Sequence, residues 1–535
     1  MPSKISILFG ILIVFLLPPL SAAEGPKPAR LQPVPGFADL HNHLFAEYAF
    51  GGAWIHGTVE GDFAEALSPC EAHWDPFSTG GDHAELKIPF VSGLIGRTQG
   101  SPGDTGPHRT RSEGFPGLKD WPRWDSIAHQ QVWSGFLKKA HEKGLNLLIA
   151  SMVNFEPLCE LMLERNKKYP DCSDMASLDL QLDAAARFER NHPWFRIVRS
   201  PEEARNAISK GRLAVVLSLE ASHIFGDGLW RAPFEQSRAK GVRTLQLVHQ
   251  LDNRFGGAAL HHPVFRIFSW IEDFKKNGTL LDLLTPTKFG FQYDHDPVSG
   301  TDRNRAGLTA EGRELILEMM RKGMPIDLAH LSEQSVRAIR EITAPLNYPV
   351  YMSHGHFRPA MDDGKFSVYE KSSPDWIVDF IRDSGGVFGL RTGPEKTRTR
   401  PDAGAPNDCQ GSSKSFAQTY TYGRSRGVPV SFSTDMNGFI QQTRPRFGGD
   451  RETCGGEPDP ALRSAQQKAQ KNPLGTRFDR AGLGSIGELP DLLQDLKNSG
   501  VDTRGLEGSA EAFIRMWERA LDASRKLTSR PSSSS

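Results

Sequence analysis

The tripeptide His41-Asn42-His43 closes the short apolar run Gly36-Phe37-Ala38-Asp39-Leu40. Imidazoles at i and i+2 of a β-strand point to the same face, so this pair can reach one metal ion. With 17 histidines in 535 residues, such a pair also arises by chance as two polar residues at a strand exit. Other candidates recur at the ends of apolar runs: Glu220, His249, His330, His354 and Asp435. Taken singly, each histidine is most simply a hydrogen-bonded structural residue. Taken together, neutral imidazoles and a carboxylate suit Zn²⁺ or a similar first-row ion, and the absence of thiolates from the set points to an open catalytic site rather than a closed structural one. A carboxylate such as Glu220 can give one oxygen to each of two zinc ions. A hydroxide held between them is a strong nucleophile at neutral pH, and Asp435 can carry its proton to a leaving group.

These residues need a fold that gathers them. Eight mostly apolar, often β-branched runs predict strands over 37–41, 145–152, 213–220, 243–249, 325–330, 350–354, 386–391 and 428–435. Helical patterns over 124–143, 200–210, 232–240, 309–322, 333–343, 375–383 and 415–426 lie between them. Gly144, Gly211, Gly241, Gly323 and Gly427 stop five of these just ahead of the next strand. The alternation predicts an α/β chain folded as a (β/α)8 TIM-type barrel. An open doubly wound sheet would place a Gly-rich phosphate turn after its first strand, where this chain has Asp39-Leu40-His41-Asn42-His43. In a barrel the C-terminal ends of all strands face one cavity, so the candidates at the ends of six strands converge. The long loops at 44–120, 250–306, 392–414 and 436–484 all follow strands and therefore belong to that same face. Amphipathic patterns over 486–523 are expected to pack against the barrel exterior.

Residues 1–23 read as a signal peptide: Lys4, an apolar stretch to Leu17, then the small residues Ser21-Ala22-Ala23. Cleavage before Glu24 would leave 24–530 as a single metallohydrolase barrel domain with the four insertions above, and 531–535 as a disordered tail. The expected location is secreted or periplasmic, without a stable membrane anchor, because the apolar run is shorter than a span of ~20 residues. With 64 basic and 64 acidic side chains, nothing favours nucleic acid as a partner. Export permits disulfides, and the five cysteines leave one over. Cys159 with Cys172 would close a short loop and Cys409 with Cys454 would tie together the loops flanking Asp435, although spacing alone leaves the connectivity open.

Several segments carry a resemblance: Val216-Leu217-Ser218-Leu219-Glu220-Ala221-Ser222-His223, Thr244-Leu245-Gln246-Leu247-Val248-His249 followed by Asn253, Gly307-Leu308-Thr309 with Gly312, Ile326-Asp327-Leu328-Ala329-His330-Leu331-Ser332, Met352-Ser353-His354 and Ser433-Thr434-Asp435-Met436-Asn437-Gly438. Together with Leu489-Pro490-Asp491-Leu492-Leu493 and Phe513-Ile514-Arg515-Met516-Trp517, they resemble the membrane (renal-type) dipeptidase family, peptidase family M19, of the amidohydrolase superfamily. The resemblance implies that His41, His43 and Glu220 bind one zinc and that Glu220, His330 and His354 bind the other. It implies that His249 polarises the scissile carbonyl and steadies the oxyanion, while Asp435 handles the proton. The family usually has H-x-D after its first strand, so His43 makes the first site less anionic. The family also holds the substrate carboxylate with a basic residue in the loop after strand six, where Arg358 and Lys365 are the candidates here.

The expected function is therefore metal-dependent cleavage of the amide bond of a dipeptide or small acylamino acid. A lactone, cyclic amide or ester is the alternative small-molecule substrate. A barrel that only binds is the reading outside enzymes, and its sign would be loss of Glu220, Asp435 or several histidines, none of which is lost. A homodimer stays open. His223 and His356 are expected to support the ligands or to sit in loops, His261-His262 to be a solvated pair, and 396–400 to be an exposed basic loop.

Overall fold

Eight strands of almost wholly buried residues lie parallel in the computed structural model, which describes residues 32–68, 122–162, 164–284, 288–297, 300–362, 364, 366–447, 454 and 478–529. They are β1 (Phe37–Asn42), β2 (Leu145–Asn154), β3 (Leu213–Ala221), β4 (Val242–Leu245), β5 (Ile326–Asp327), β6 (Val350–Gly355), β7 (Phe388–Arg391) and β8 (Val430–Ser433). Ladders join β1 to β2, β2 to β3 and β3 to β4, then β5 to β6, β6 to β7, β7 to β8, and β8 back to β1. Side chains span the gap between β4 and β5: Thr244 Oγ1 donates to Pro325 O at 3.1 Å and lies 3.0 Å from the Tyr351 hydroxyl. This cyclic parallel order, with helices in the crossovers, is a (β/α)8 barrel. A three-residue strand, Phe195–Ile197, pairs with the first half of β3 on the edge whose second half takes β4.

All eight strands fall where the sequence places them, and the five expected glycines all have positive φ, from 65° at Gly323 to 116° at Gly241. Strands β4, β5, β7 and β8 are shorter than expected, and His249, His330 and Asp435 lie beyond the ends of β4, β5 and β8. The helix expected over 124–143 begins only at Ser134, because the preceding segment is laced to the loop after β8. There Gln131 N donates to Asn437 Oδ1 at 3.0 Å, and Asn437 Nδ2 donates to Gln130 Oε1 at 2.7 Å. Two long helices were not expected. Asp174–Asn191 buries Asp174, Ser177 and Gln181 on its inner face, which blurs its apolar period, and Pro263–Asn277 lies within the loop expected over 250–306.

The C-terminal helix Ser509–Ser529 crosses the N-terminal end of the barrel rather than its flank. Ala38 N donates to Ser509 Oγ at 2.9 Å, Ser524 Oγ donates to Arg321 O at 2.7 Å, and the Phe513 ring meets Tyr351 at 5.6 Å. Phe513 and Trp517 are both fully buried. Trp517→Ala is expected to cost about 3–5 kcal/mol through the cavity it leaves, read from the midpoint of guanidinium unfolding.

Both cysteine pairings are present as disulfides, Cys159–Cys172 and Cys409–Cys454, while Cys70 lies outside the described residues. The expected signal peptide over 1–23 and the tail over 531–535 lie outside them as well. Among the described residues, no helix is long and apolar enough to cross a membrane.

Candidate metal centre

Glu220, on the last turn of the pleat before β3 ends, is the hub of the barrel mouth. Its Oε2 lies 3.0 Å from His41 Nε2 and 3.3 Å from His43 Nε2. Its Oε1 lies 3.0 Å from His330 Nε2 and 3.3 Å from His249 Nε2. His354 Nε2 is 2.9 Å from His330 Nε2, and the His354 ring stacks on His41 at 4.0 Å. Asp435 Oδ1 faces the first pair, 3.1 Å from His43 Nε2 and 3.7 Å from His41 Nε2. All seven residues are at least nine-tenths buried.

The backbone that aims these groups is strained. His330 has φ +63° and Asp435 φ +52°, left-handed conformations that cost a non-glycine residue about 1–3 kcal/mol. Below the mouth, two buried carboxylates pin neighbouring strands. Asp39 accepts from Thr434 N at 2.9 Å and Thr434 Oγ1 at 2.7 Å, holding β1 to β8. Asp327 accepts from Ala329 N at 3.0 Å and Ser353 N at 2.9 Å, holding β5 to β6. Burial pushes both carboxyls up to about 6.

Protonation over most of the centre suits ligation, with His41 the exception. Burial alone would raise the Glu220 carboxyl, but the His41 charge and the ring nitrogens of His41 and His330, each 3.0 Å from a carboxylate oxygen, hold it well below the usual carboxylate range. Asp435 is also lowered: burial opposes ionisation, and the His43 hydrogen bond with the charges of Arg391 and His41 outweighs it. Burial keeps His249 and His354 neutral well below their ordinary value and brings His330 down to about 4. His41 goes the other way: burial lowers it, and Glu220 more than compensates. Ionised carboxylates and neutral imidazoles are the forms that bind a divalent cation. The residues fit such an ion by a second sign. His41 Nδ1 and Nε2, His249 Nδ1 and Glu220 Oε2 are buried without a regular hydrogen bond, an arrangement that costs free energy unless something charged completes it.

A cavity of about 550 Å³ opens over this centre. Phe155, Leu158, Phe265 and Phe268 line it beside β2 to β4, with Phe155 packed edge-on against His249 at 6.4 Å. Lys371, Arg391, Lys396 and Arg444 line it in the segments from β6 onward.

Of the expected site residues, His41, His43, Glu220, His249, His330, His354 and Asp435 come together. Arg358 does not: it is absent from the cavity lining, and its guanidinium donates to Glu333 Oε1 at 2.7 Å and Glu370 O at 3.3 Å. Its carboxylate partner opens the preceding helix, Glu333–Thr343, which no local pattern reveals. Lys365 lies outside the described residues. His261 and His262 both line the cavity instead of forming a solvated pair, because the unexpected helix starts there and His262 Nδ1 accepts from Val264 N at 3.1 Å. Lys396 borders the cavity too, while Arg398 remains exposed. His356 sits 3.5 Å from Glu395 Oε1, and His223 sits 3.3 Å from Glu156 Oε2, apart from the hub. Sequence reasoning missed Lys371 and Arg391. Arg391 carried a signal, since it is the last residue of a predicted strand.

A barrel whose mouth gathers five buried imidazoles and two carboxylates is the arrangement of a metal-binding site. The family model for membrane dipeptidase, peptidase family M19, matches residues 126–270 and 286–404. Over those residues, just under half of its length, the chain is similar to that family. It is 24% identical over 220 residues to the uncharacterised dipeptidase C965.12 of Schizosaccharomyces pombe, a match over 41% of this chain and 35% of that protein. It is 22% identical over 202 residues to dipeptidase verJ of Clonostachys rogersoniana, over 37% of this chain and 39% of that one. The chain thus spans little more than a third of the length of the curated relatives it matches. A solved dipeptidase AC, a metallopeptidase of family M19, superposes with a TM-score of 0.46 at 15% identity, covering 72% of this chain and 88% of its own.

Proposed function

We propose that this chain is an exported metal-dependent hydrolase that cleaves the amide bond of a dipeptide or small acylamino acid. One observation carries the reading: the two oxygens of Glu220 face two different imidazole pairs, His41 with His43 and His330 with His249. His41, His43 and Glu220 would hold one divalent ion, with Zn²⁺ the best match to the donor set, and Glu220, His330 and His354 the other. When bound, two such ions polarise a carbonyl and make water a nucleophile near neutral pH. His249, kept neutral by burial beside His330, stabilises the oxyanion that forms at the scissile carbonyl. Asp435, ionised and facing the first pair, accepts the proton of the attacking water and delivers it to the departing nitrogen. The two disulfides support an oxidising compartment, in keeping with export.

The substrate carboxylate falls to Lys371. It stands in the loop after β6 and lines the cavity, and its ammonium makes no hydrogen bond among the described residues. Burial pushes it down to about 8; Asp435 and Glu220 counter this and Arg391 adds to it, so it remains a cation at neutral pH. Lys371→Met is expected to raise KM for a dipeptide by about 10- to 100-fold, the worth of one charge-assisted hydrogen bond, with a smaller change in kcat. Steady-state kinetics on a dipeptide and its C-terminal amide check this, since the amide should respond far less.

The reading as a whole is tested on a panel of L,L and L,D dipeptides and lactones with Zn²⁺-loaded protein. Dipeptide turnover that a chelator abolishes and Zn²⁺ restores is the expected result. Activity confined to lactones, or none on any member, would contradict it.

A further inference from the structure

The cavity is two-sided in a way that the metal ligands do not require. Its wall beside β2 to β4 is aromatic, with Phe155 meeting Phe265 at 6.0 Å and Phe268 at 5.4 Å. Its opposite wall, from β6 to β8, is cationic. Arg391 ends β7 there, and its side chain is 4% exposed. Among the described residues its guanidinium makes no hydrogen bond, Nε is buried without a partner, and the nearest recorded carboxylate oxygen, Asp435 Oδ2, stands 3.8 Å from Nε. That distance is too long for the charge-assisted hydrogen bond that arginine makes with a carboxylate. A buried, always-charged fork with open donors costs free energy unless a ligand supplies the anion. Lys371 is close enough for the two cations to repel each other, so neither neutralises the other. The carboxylate that also lines this wall, Glu395, is turned towards His356 Nε2 at 3.5 Å.

We infer that Arg391 forms a second anion subsite, which selects substrates whose C-terminal residue carries an acidic side chain and whose N-terminal residue is bulky and apolar. The assignment of ends rests on the proposed function. Asp435, which serves the departing nitrogen in that reading, lies on the cationic wall, so the residue that leaves with that nitrogen sits there. Its α-carboxylate then meets Lys371 and its side-chain carboxylate meets Arg391. The acyl residue is left to the aromatic wall formed by Phe155, Leu158, Phe265 and Phe268.

The test compares kcat/KM of the metal-loaded wild type on Phe-Glu and Phe-Ala, then repeats the pair with Arg391→Gln and Arg391→Lys. The wild type is expected to favour Phe-Glu by about 10- to 100-fold, the range of a charge-assisted hydrogen bond. R391Q should lose most of that ratio and R391K should keep part of it. Equal loss on both peptides in R391Q would show that Arg391 acts only through Asp435 and would overturn the subsite. Binding separates this from the hydrolytic reading: calorimetry should give glutarate an advantage over butyrate on the wild type that R391Q removes. Equal binding of the two acids by the wild type would overturn the subsite even if dipeptides are cleaved. A glutarate advantage without dipeptide cleavage would support the subsite and reject the proposed reaction.

Discussion

Replacing Glu220 by Gln is expected to lower kcat/KM by at least about 10³-fold and to leave fewer than two equivalents of metal on the protein. The side chain keeps its size and loses its charge. A neutral amide offers one carbonyl oxygen to imidazoles that now approach both carboxylate oxygens, at 3.0 Å from His41 on one side and 3.0 Å from His330 on the other. Its NH₂ group must point at one of those pairs, where a cation could then not be ligated. Metal content by elemental analysis, read beside dipeptide turnover, checks this. The two quantities should fall together, and full metal content with full activity in E220Q would remove Glu220 from the centre.

Asp435→Asn is expected to lower kcat by about 10²- to 10⁴-fold, the usual scale for removing a proton-transfer group, while most of the metal stays bound. Asn is the right probe because the residue sits at φ +52°, a conformation that Asn tolerates as well as Asp. It can also keep the contact with His43 Nε2, now 3.1 Å from Oδ1. An unchanged kcat at unchanged metal content would assign the proton to another group. An equal loss of metal and activity would make Asp435 a ligand instead.

The barrel was legible because its strands are buried on both faces and read as continuous apolar runs, and because left-handed glycines mark where five of the crossovers turn into strands. His41, Glu220 and His354 were legible because they stand within strands and share a register-defined end of the sheet. His330 and Asp435 were found by type and order, but their strained backbone was not: nothing local to Ala329-His330 or Thr434-Asp435 announces a positive φ. What the sequence hid was the substrate wall. Phe265 and Phe268 stand on a helix inside a presumed loop, of which only Val264, Phe268 and Ser269 are buried. Arg358 looked available in the sequence, and only its tertiary pairing with Glu333 takes it away from the cavity. Arg391 stood at a strand end in plain view, but its residue type is neither a metal ligand nor a proton carrier.

Two metal ions held around Glu220 and acting on an amide bond are the centre of the proposed function. The most direct measurement is a titration of Zn²⁺ into the chelator-stripped protein, with dipeptide hydrolysis followed at each step. Hydrolysis that is absent in the stripped protein, and that grows until two equivalents are bound, is the predicted result. Dipeptide hydrolysis that persists in the fully stripped protein, or that never appears at any Zn²⁺ content, would contradict it.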